Sequence, residues 1–282
     1  MPDTNMTEIG GLRTEITEVG SGPEMLLLHG GIPGVVPYCG GRHLWGDTLL
    51  DRLAARNRLV LPGLPGCGGT EAPQGGPTID NIVDHAVAVL TARTSGAVHL
   101  VGHDVGAMVA MFAAMQVPER IACLTIVTSQ ALAPTGDGIR NLTFLSPPQP
   151  QWTSESQRWA YERISYSHFH IDSALIDASV QAAAATTPAG EDTAVSIFQG
   201  KNRFLGRARE TGVPVPTQVI WAANDPLVNI DHGIWLHRII AGGQRRSQFH
   251  LINRSGNLPF REQSEEFLRL LTSFQDGVAA DT

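Results

Sequence analysis

The segment Gly102-His103-Asp104-Val105-Gly106 sets an aspartate between two glycines, after the apolar run Val98 to Val101 and before a second, Val105 to Met115. A Gly-x-nucleophile-x-Gly turn between strand and helix is so tight that side chains at the glycine positions would clash. It holds its central residue at the positive end of the helix. A carboxylate placed there can attack an sp3 carbon bearing a strained oxygen or a halide, forming an ester. With its pKa raised by burial it can instead take and return protons. The plainer reading is an aspartate that caps the helix. Two further segments weigh against it. His29-Gly30-Gly31 ends a buried apolar run, where the Gly31 N–H could join the Val105 N–H as an oxyanion hole. Asp225 ends the late apolar run "VIWAAND", a position suited to an orienting acid.

These groups need a scaffold of alternating strands and helices. "EMLLLHGG", "RNRLVLPG", "AVHLVGHD", "IACLTIVTS" and "PTQVIWAAND" read as short buried strands. "TIDNIVDHAVAVLTAR" and "VGAMVAMFAAMQVP" read as helices, the first capped by Thr78 or Asp80, the second ended by Pro118. "LRTEITEV" alternates apolar and polar residues and predicts an edge hairpin strand. The alternation as a whole predicts an α/β fold, a mostly parallel sheet with helices on both faces. It breaks between about Ala131 and Arg207, in a helical stretch rich in aromatics and histidine: Trp152, Trp159, Tyr161, Tyr166, His168, Phe169 and His170. That predicts a helical cap, 131–207, inserted between core segments 1–130 and 208–282. "SQFHLINRSGNLPFREQSEEFLRLLTSF" then predicts a strand, a loop and an amphipathic helix.

Bulk properties narrow the function classes. A chain of 282 residues, 42% hydrophobic and 17% charged, can bury a sizeable core as one large domain or a domain with an insertion. A net charge of −7 without any basic block argues against nucleic acid and anionic membranes as partners. Three widely spaced cysteines predict free thiols in a reducing cytoplasm, and the N-terminus lacks a signal-peptide pattern.

Together "VGSGPEMLLLHGG", "LPGLPGCGGT", "GHDVG" and "GNLPFREQSEEFLRLL" make the chain resemble α/β-hydrolase-fold enzymes with a cap domain, over nearly its whole length. Within that superfamily "GHDVG" resembles the elbow of epoxide hydrolases and dehalogenases, which use an aspartate nucleophile. "HGGIPG" and "NDPLVNIDHGIWLHRII" resemble the meta-cleavage-product hydrolases, which break C–C bonds with a serine; Asp104 departs from them. Val105 stands where dehalogenase-like elbows often carry Trp or Arg, which weighs against dehalogenation. The resemblance implies Asp104 as nucleophile, Asp225 as triad acid, an alkyl-enzyme ester hydrolysed by activated water, and cap tyrosines that protonate the leaving oxygen. Tyr161 and Tyr166 would be those tyrosines, with packing on the cap's inner face as their other role.

The same resemblance implies a histidine base in the last loop, and the sequence has Asn257 there, in "SGNLPFREQ". An amide cannot take a proton from water near neutral pH. Either the base has been substituted in a way that would trap an intermediate, or the chain has diverged naturally toward elimination, ring closure or isomerisation with Asp104 as acid–base group. A C–C bond hydrolase relative and a non-catalytic binding protein on the same fold stay open as alternatives. The site expected from sequence is therefore Asp104, Asp225 and Asn257, an oxyanion hole of Gly31 and Val105, and a pocket drawn from Ile32, His103, Trp152, Trp159, Tyr161 and Tyr166. No cofactor or metal is implied. The expected partner is a small apolar or aromatic molecule, and self-association as a homodimer is left open.

Overall fold

Runs of Leu, Val and Ile too short to make helices form the centre of the computed structural model, which describes residues 3–32, 36–133, 148–150, 152–186, 191–242 and 246–280. They give an eight-stranded sheet of β1 (Asp3–Ile9), β2 (Leu12–Val19), β3 (Glu24–Leu28), β4 (Arg58–Pro62), β5 (Val98–His103), β6 (Ile121–Val127), β7 (Thr217–Ala222) and β8 (Ser247–Ile252). The spatial order is β1-β2-β4-β3-β5-β6-β7-β8. β3 to β8 pair in parallel, and β1 and β2 run antiparallel at one end.

Side chains alternate across each strand and feed two apolar layers. Leu26 and Leu28 join the layer beneath α2 (Ile79–Arg93), α3 (Val105–Gln116) and α7 (Ile230–Ala241). Met25 and Leu27 join the opposite layer, beneath α1 (Asp47–Ala54) and α9 (Ser264–Ala279). The α3 helix is apolar all round because β-strands and helices enclose it, and its residues from Val105 to Met115 are buried. Thr78 caps α2 through a reciprocal box with Asn81.

The sheet edge differs from the sequence expectation. "LRTEITEV" is β2, paired on both sides, and the edge strand is β1, whose mainly polar "DTNMTEI" carries little apolar alternation. The two join through Gly10-Gly11, both at positive φ, with Ile9 paired to Leu12; tight hairpins use such a turn.

Between β6 and β7 lie α4 (Ser154–Ile164), α5 (Ser173–Ala184) and α6 (Glu191–Thr211), in the stretch expected to form the cap. Residues 134–147, 151 and 187–190 of that stretch lie outside the described residues. α4 and α5 pack on each other, and α5 reaches the 3-10 turn Arg42–Trp45. α6 rests on α2 and α7, with Ser196 Oγ accepting the Ile79 N–H at 3.0 Å. It continues past Arg207 to Thr211 and stops at Gly212, whose φ of 70 is left-handed. The short α8 (Pro259–Glu262) follows the β8 loop. No helix among the described residues is long and apolar enough to cross a membrane.

The β3–β5–α3 junction is the tightest part of the frame. A Cβ on Gly106 would stand 2.3 Å from the Leu28 carbonyl oxygen, and one on Gly102 2.3 Å from that of Gly106. Gly106→Ala is expected to cost about 3 kcal/mol in urea unfolding, because backbone rather than a flexible side chain must give way. Gly277→Ala, in open space inside α9, should instead gain up to about 1 kcal/mol.

Candidate active site

At the mouth of β5 the chain turns into α3 through Asp104, whose backbone at φ 50 and ψ −115 is strained for a non-glycine residue. Its N–H donates to the Val127 and Thr128 carbonyls (3.3 and 3.1 Å), and its own carbonyl accepts the Ser129 hydroxyl at 2.7 Å. The side chain makes no capping bond to α3. Its Oδ1 accepts the Gln130 N–H at 3.1 Å, so the carboxyl is aimed at the loop after β6. Only 1% of the residue is exposed. Burial pushes the Asp104 carboxyl up to about 6; the Ala131, Gln130 and Val105 N–H groups oppose that rise, and the charge of Asp225 adds to it.

The β3 loop closes over the elbow. Leu64 N–H donates to His29 Nε2 (3.0 Å), so the ring's proton sits on Nδ1 and is donated to the Gly30 carbonyl at 2.7 Å. His29 is thereby a loop brace, and burial holds its pKa down to about 4. Gly31 adopts φ +80 and accepts the Gly40 N–H at 2.7 Å. A Cβ on Gly30 would lie 2.9 Å from Asp104 Cβ and 2.8 Å from His103 Nδ1, which shows how closely this loop and the elbow meet. Ile32 and Val105 are buried in the same apolar layer.

Asp225, eight per cent exposed, is the best-solvated residue of a buried acid–amide–imidazole chain. Its Oδ2 accepts the Thr128 hydroxyl (2.6 Å) and the Asn257 amide (2.9 Å), while Oδ1 accepts the Leu227 and Val228 N–H groups (2.8 and 3.3 Å). Burial raises its pKa and those four donors oppose the rise. Since Asn257 Nδ2 faces a carboxylate, its Oδ1 faces His103 Nε2, at 3.1 Å; the Asn257 carbonyl lies 2.8 Å from the same nitrogen. Two acceptors fix the proton on Nε2, leaving Nδ1 bare and without a partner among the described residues. Burial keeps this ring neutral, with a pKa of about 4. The ring lies edge-on to Phe260 and Trp45.

Asp104, Val105, Gly31, Ile32, His103, Asp225 and Asn257 thus converge on the carboxyl ends of β3, β5 and β7. The aromatics chosen from the cap do not converge with them in the same way. Tyr161 is buried with its hydroxyl 2.7 Å from Ser179 Oγ. Trp159 is half-buried under the Arg163 guanidinium, 4.0 Å from the ring centroid, and Trp152 is half-buried before α4. Tyr166 is 51% exposed, held outward where Glu262 accepts its N–H. Sequence reasoning passed over Thr128, Gln130 and Tyr38. The first two follow β6 in "IVTSQ", the kind of strand-end loop where ligands bind in parallel sheets; Tyr38 follows the glycine-rich β3 loop. Among the described residues no group of three or more His, Cys, Asp or Glu is gathered as a metal site.

The raised Asp104 pKa has a measurable consequence. A carboxyl whose pKa is higher folded than unfolded favours the fold while protonated. That contribution is intact below about pH 4 and is lost as pH climbs through about 6. Asp104→Asn, which keeps the shape and an acceptor for Gln130, should raise stability by up to about 3 kcal/mol near pH 7.5 and by almost nothing near pH 4, read by urea unfolding at both.

Comparison with known proteins adds a family to this geometry. Residues 25–270 match the model described as "Alpha/beta hydrolase family". The 2-hydroxy-6-oxo-2,4-heptadienoate hydrolase of Pseudomonas putida is 24% identical over 277 residues, 95% of each chain. Epoxide hydrolase 2 of Siraitia grosvenorii is 34% identical over 116 residues, 40% of this chain and 34% of that one. Among solved structures, a meta-cleavage product hydrolase from Pseudomonas fluorescens IP01 superposes with a TM-score of 0.75 at 20% identity, covering 98% of this chain and 97% of that one. A laboratory-evolved variant of potato epoxide hydrolase superposes at 0.73 and 16% identity, covering 98% and 99%. At those identities the structures speak for the fold alone. With strand order, the strand–turn–helix at Asp104 and the family match in agreement, the chain belongs to the alpha/beta hydrolase family.

Proposed function

We propose that Asp104 is the reacting group of an enzyme that acts on a small apolar or aromatic carbonyl compound, and that it works as a general acid–base. The observation that carries this is the Asp225–Asn257 hydrogen bond at 2.9 Å, an amide standing where hydrolysis of an ester intermediate would need an imidazole. A carboxyl with a pKa of about 6 completes a proton cycle unaided near neutral pH. In that cycle the Asp104 carboxylate removes a proton from the carbon next to the carbonyl, and negative charge passes to the carbonyl oxygen. The Gly31 and Val105 N–H groups meet that oxygen. Asp104 then returns the proton to the same or a conjugated carbon, so the net change is exchange or isomerisation.

Helices α4 to α6 serve in this reading as the cap that shields the reacting groups. The three free, buried cysteines support the expectation of a reducing compartment. 2-Tetralone, an aromatic ketone with acidic α-protons, is the test substrate. Incubated in D2O, the enzyme should strip its α-proton NMR signals, and Asp104→Asn should slow that exchange by about 100-fold or more. Exchange unaffected by the substitution would sink the acid–base role.

A second reading keeps Asp104 as a nucleophile toward epoxides, supported by the partial 34% identity to an epoxide hydrolase. Here the carboxylate opens the ring to an ester, and Asn257 leaves that ester without a base. Styrene oxide should then add its mass to the intact protein and not to Asp104→Asn. In Asn257→His the adduct should turn over to the diol. Absence of any adduct in the unaltered enzyme rejects this route.

A further inference from the structure

Tyr38 is fully buried, and its hydroxyl has no hydrogen-bond partner among the described residues. Leaving such a group unpaired costs about 1–3 kcal/mol, so the arrangement calls for a ligand or a functional reason. The surroundings point to the reaction centre. Gly30 and Gly31 form a two-residue partition: Asp104 Cβ lies 2.9 Å from the Cβ position of Gly30, and Tyr38 Cε2 lies 2.7 Å from that of Gly31. The aromatic ring therefore lies against the glycine expected to supply an oxyanion-hole N–H. Charges on Asp104 and Asp225 both act on the phenol and, with burial as the largest cause, hold it protonated far above the usual tyrosine range.

The peptide on either side of Tyr38 is fixed from α4. Gln157, itself fully buried, donates its amide to the Pro37 carbonyl (3.3 Å) and accepts the Cys39 N–H (3.2 Å). Tyr161 adds its hydroxyl to the Cys39 carbonyl at 3.4 Å, and its ring stands 5.6 Å from that of Tyr38. So much fixation of the backbone beside an unsatisfied hydroxyl is what a preorganised donor requires.

We infer that the Tyr38 hydroxyl is a hydrogen-bond donor to the oxygen of the substrate group on which Asp104 acts, completing the oxyanion site from the side of Gly31. Charge moves from the substrate carbon to its oxygen as Asp104 takes the proton. The phenol stays protonated and shares its hydrogen with that oxygen, so no further acid or base is consumed. The inference rests on the acid–base reading for what Asp104 does, and its test is kept separate from it.

2-Naphthol mimics the enol of 2-tetralone, and naphthalene has the same apolar shape without the oxygen. The unaltered enzyme should bind 2-naphthol more tightly than naphthalene in a fluorescence titration. Tyr38→Phe should weaken 2-naphthol by about tenfold and leave naphthalene unchanged. Tyr38→Phe should also be at least as stable as the unaltered protein, because it deletes an unpaired buried hydroxyl. Equal binding of the two probes, a preference that survives Tyr38→Phe, or a loss of stability in that variant would each overturn the role. A Tyr38-dependent preference for 2-naphthol without Asp104-dependent exchange of 2-tetralone would leave Tyr38 as a donor and remove the acid–base function.

Discussion

The close approach of α3 to the end of β3 governs the rest of the site. Gly106 lies so near the Leu28 and His29 carbonyls that no side chain fits between them. This contact presses the helix N-terminus, the strained Asp104 backbone and the Gly30–Gly31 loop into one small volume. It also removes water from the carboxyl, and loss of water is the main reason that carboxyl binds its proton so tightly. The raised pKa of the Asp104 carboxyl thus goes with the tight backbone packing around Gly106.

The opposite wall holds a second buried carboxyl in place. Four donors converge on Asp225, and the Asn257 amide passes its orientation on to His103 by accepting the Nε2 proton. An imidazole at 257 could gain or lose a proton in the physiological range, whereas an amide cannot. The amide at 257 therefore keeps one orientation between Asp225 and His103, donating to the first and accepting from the second.

Much of the frame was legible in the sequence because its signals are local. Glycines at 102 and 106, the apolar run into β5 and the Gly30–Gly31 pair each impose a backbone geometry that few other residues permit. Thr78 or Asp80 marked the start of α2 as possible caps, and Thr78 takes the place. The edge strand β1 was not legible, since its "DTNMTEI" is bound by backbone pairing with β2 rather than by an apolar face. Nor were Tyr38 and Gln157, which come together across 119 positions of chain by tertiary packing alone. Aromatic composition suggested Tyr166 as a site residue, but composition cannot tell where a helix stops, and Tyr166 lies in the bend after α4, facing solvent.

The two hydrogen bonds from Gln157 have a mechanical consequence. They run from a helix inserted between β6 and β7 to the backbone of a loop that belongs to the β3 end of the sheet. Any displacement of α4 must break both bonds or carry the Tyr38 peptide with it. The inserted helix and the loop that carries Tyr38 are therefore latched together, with the Tyr161 hydroxyl on the Cys39 carbonyl as a third tie.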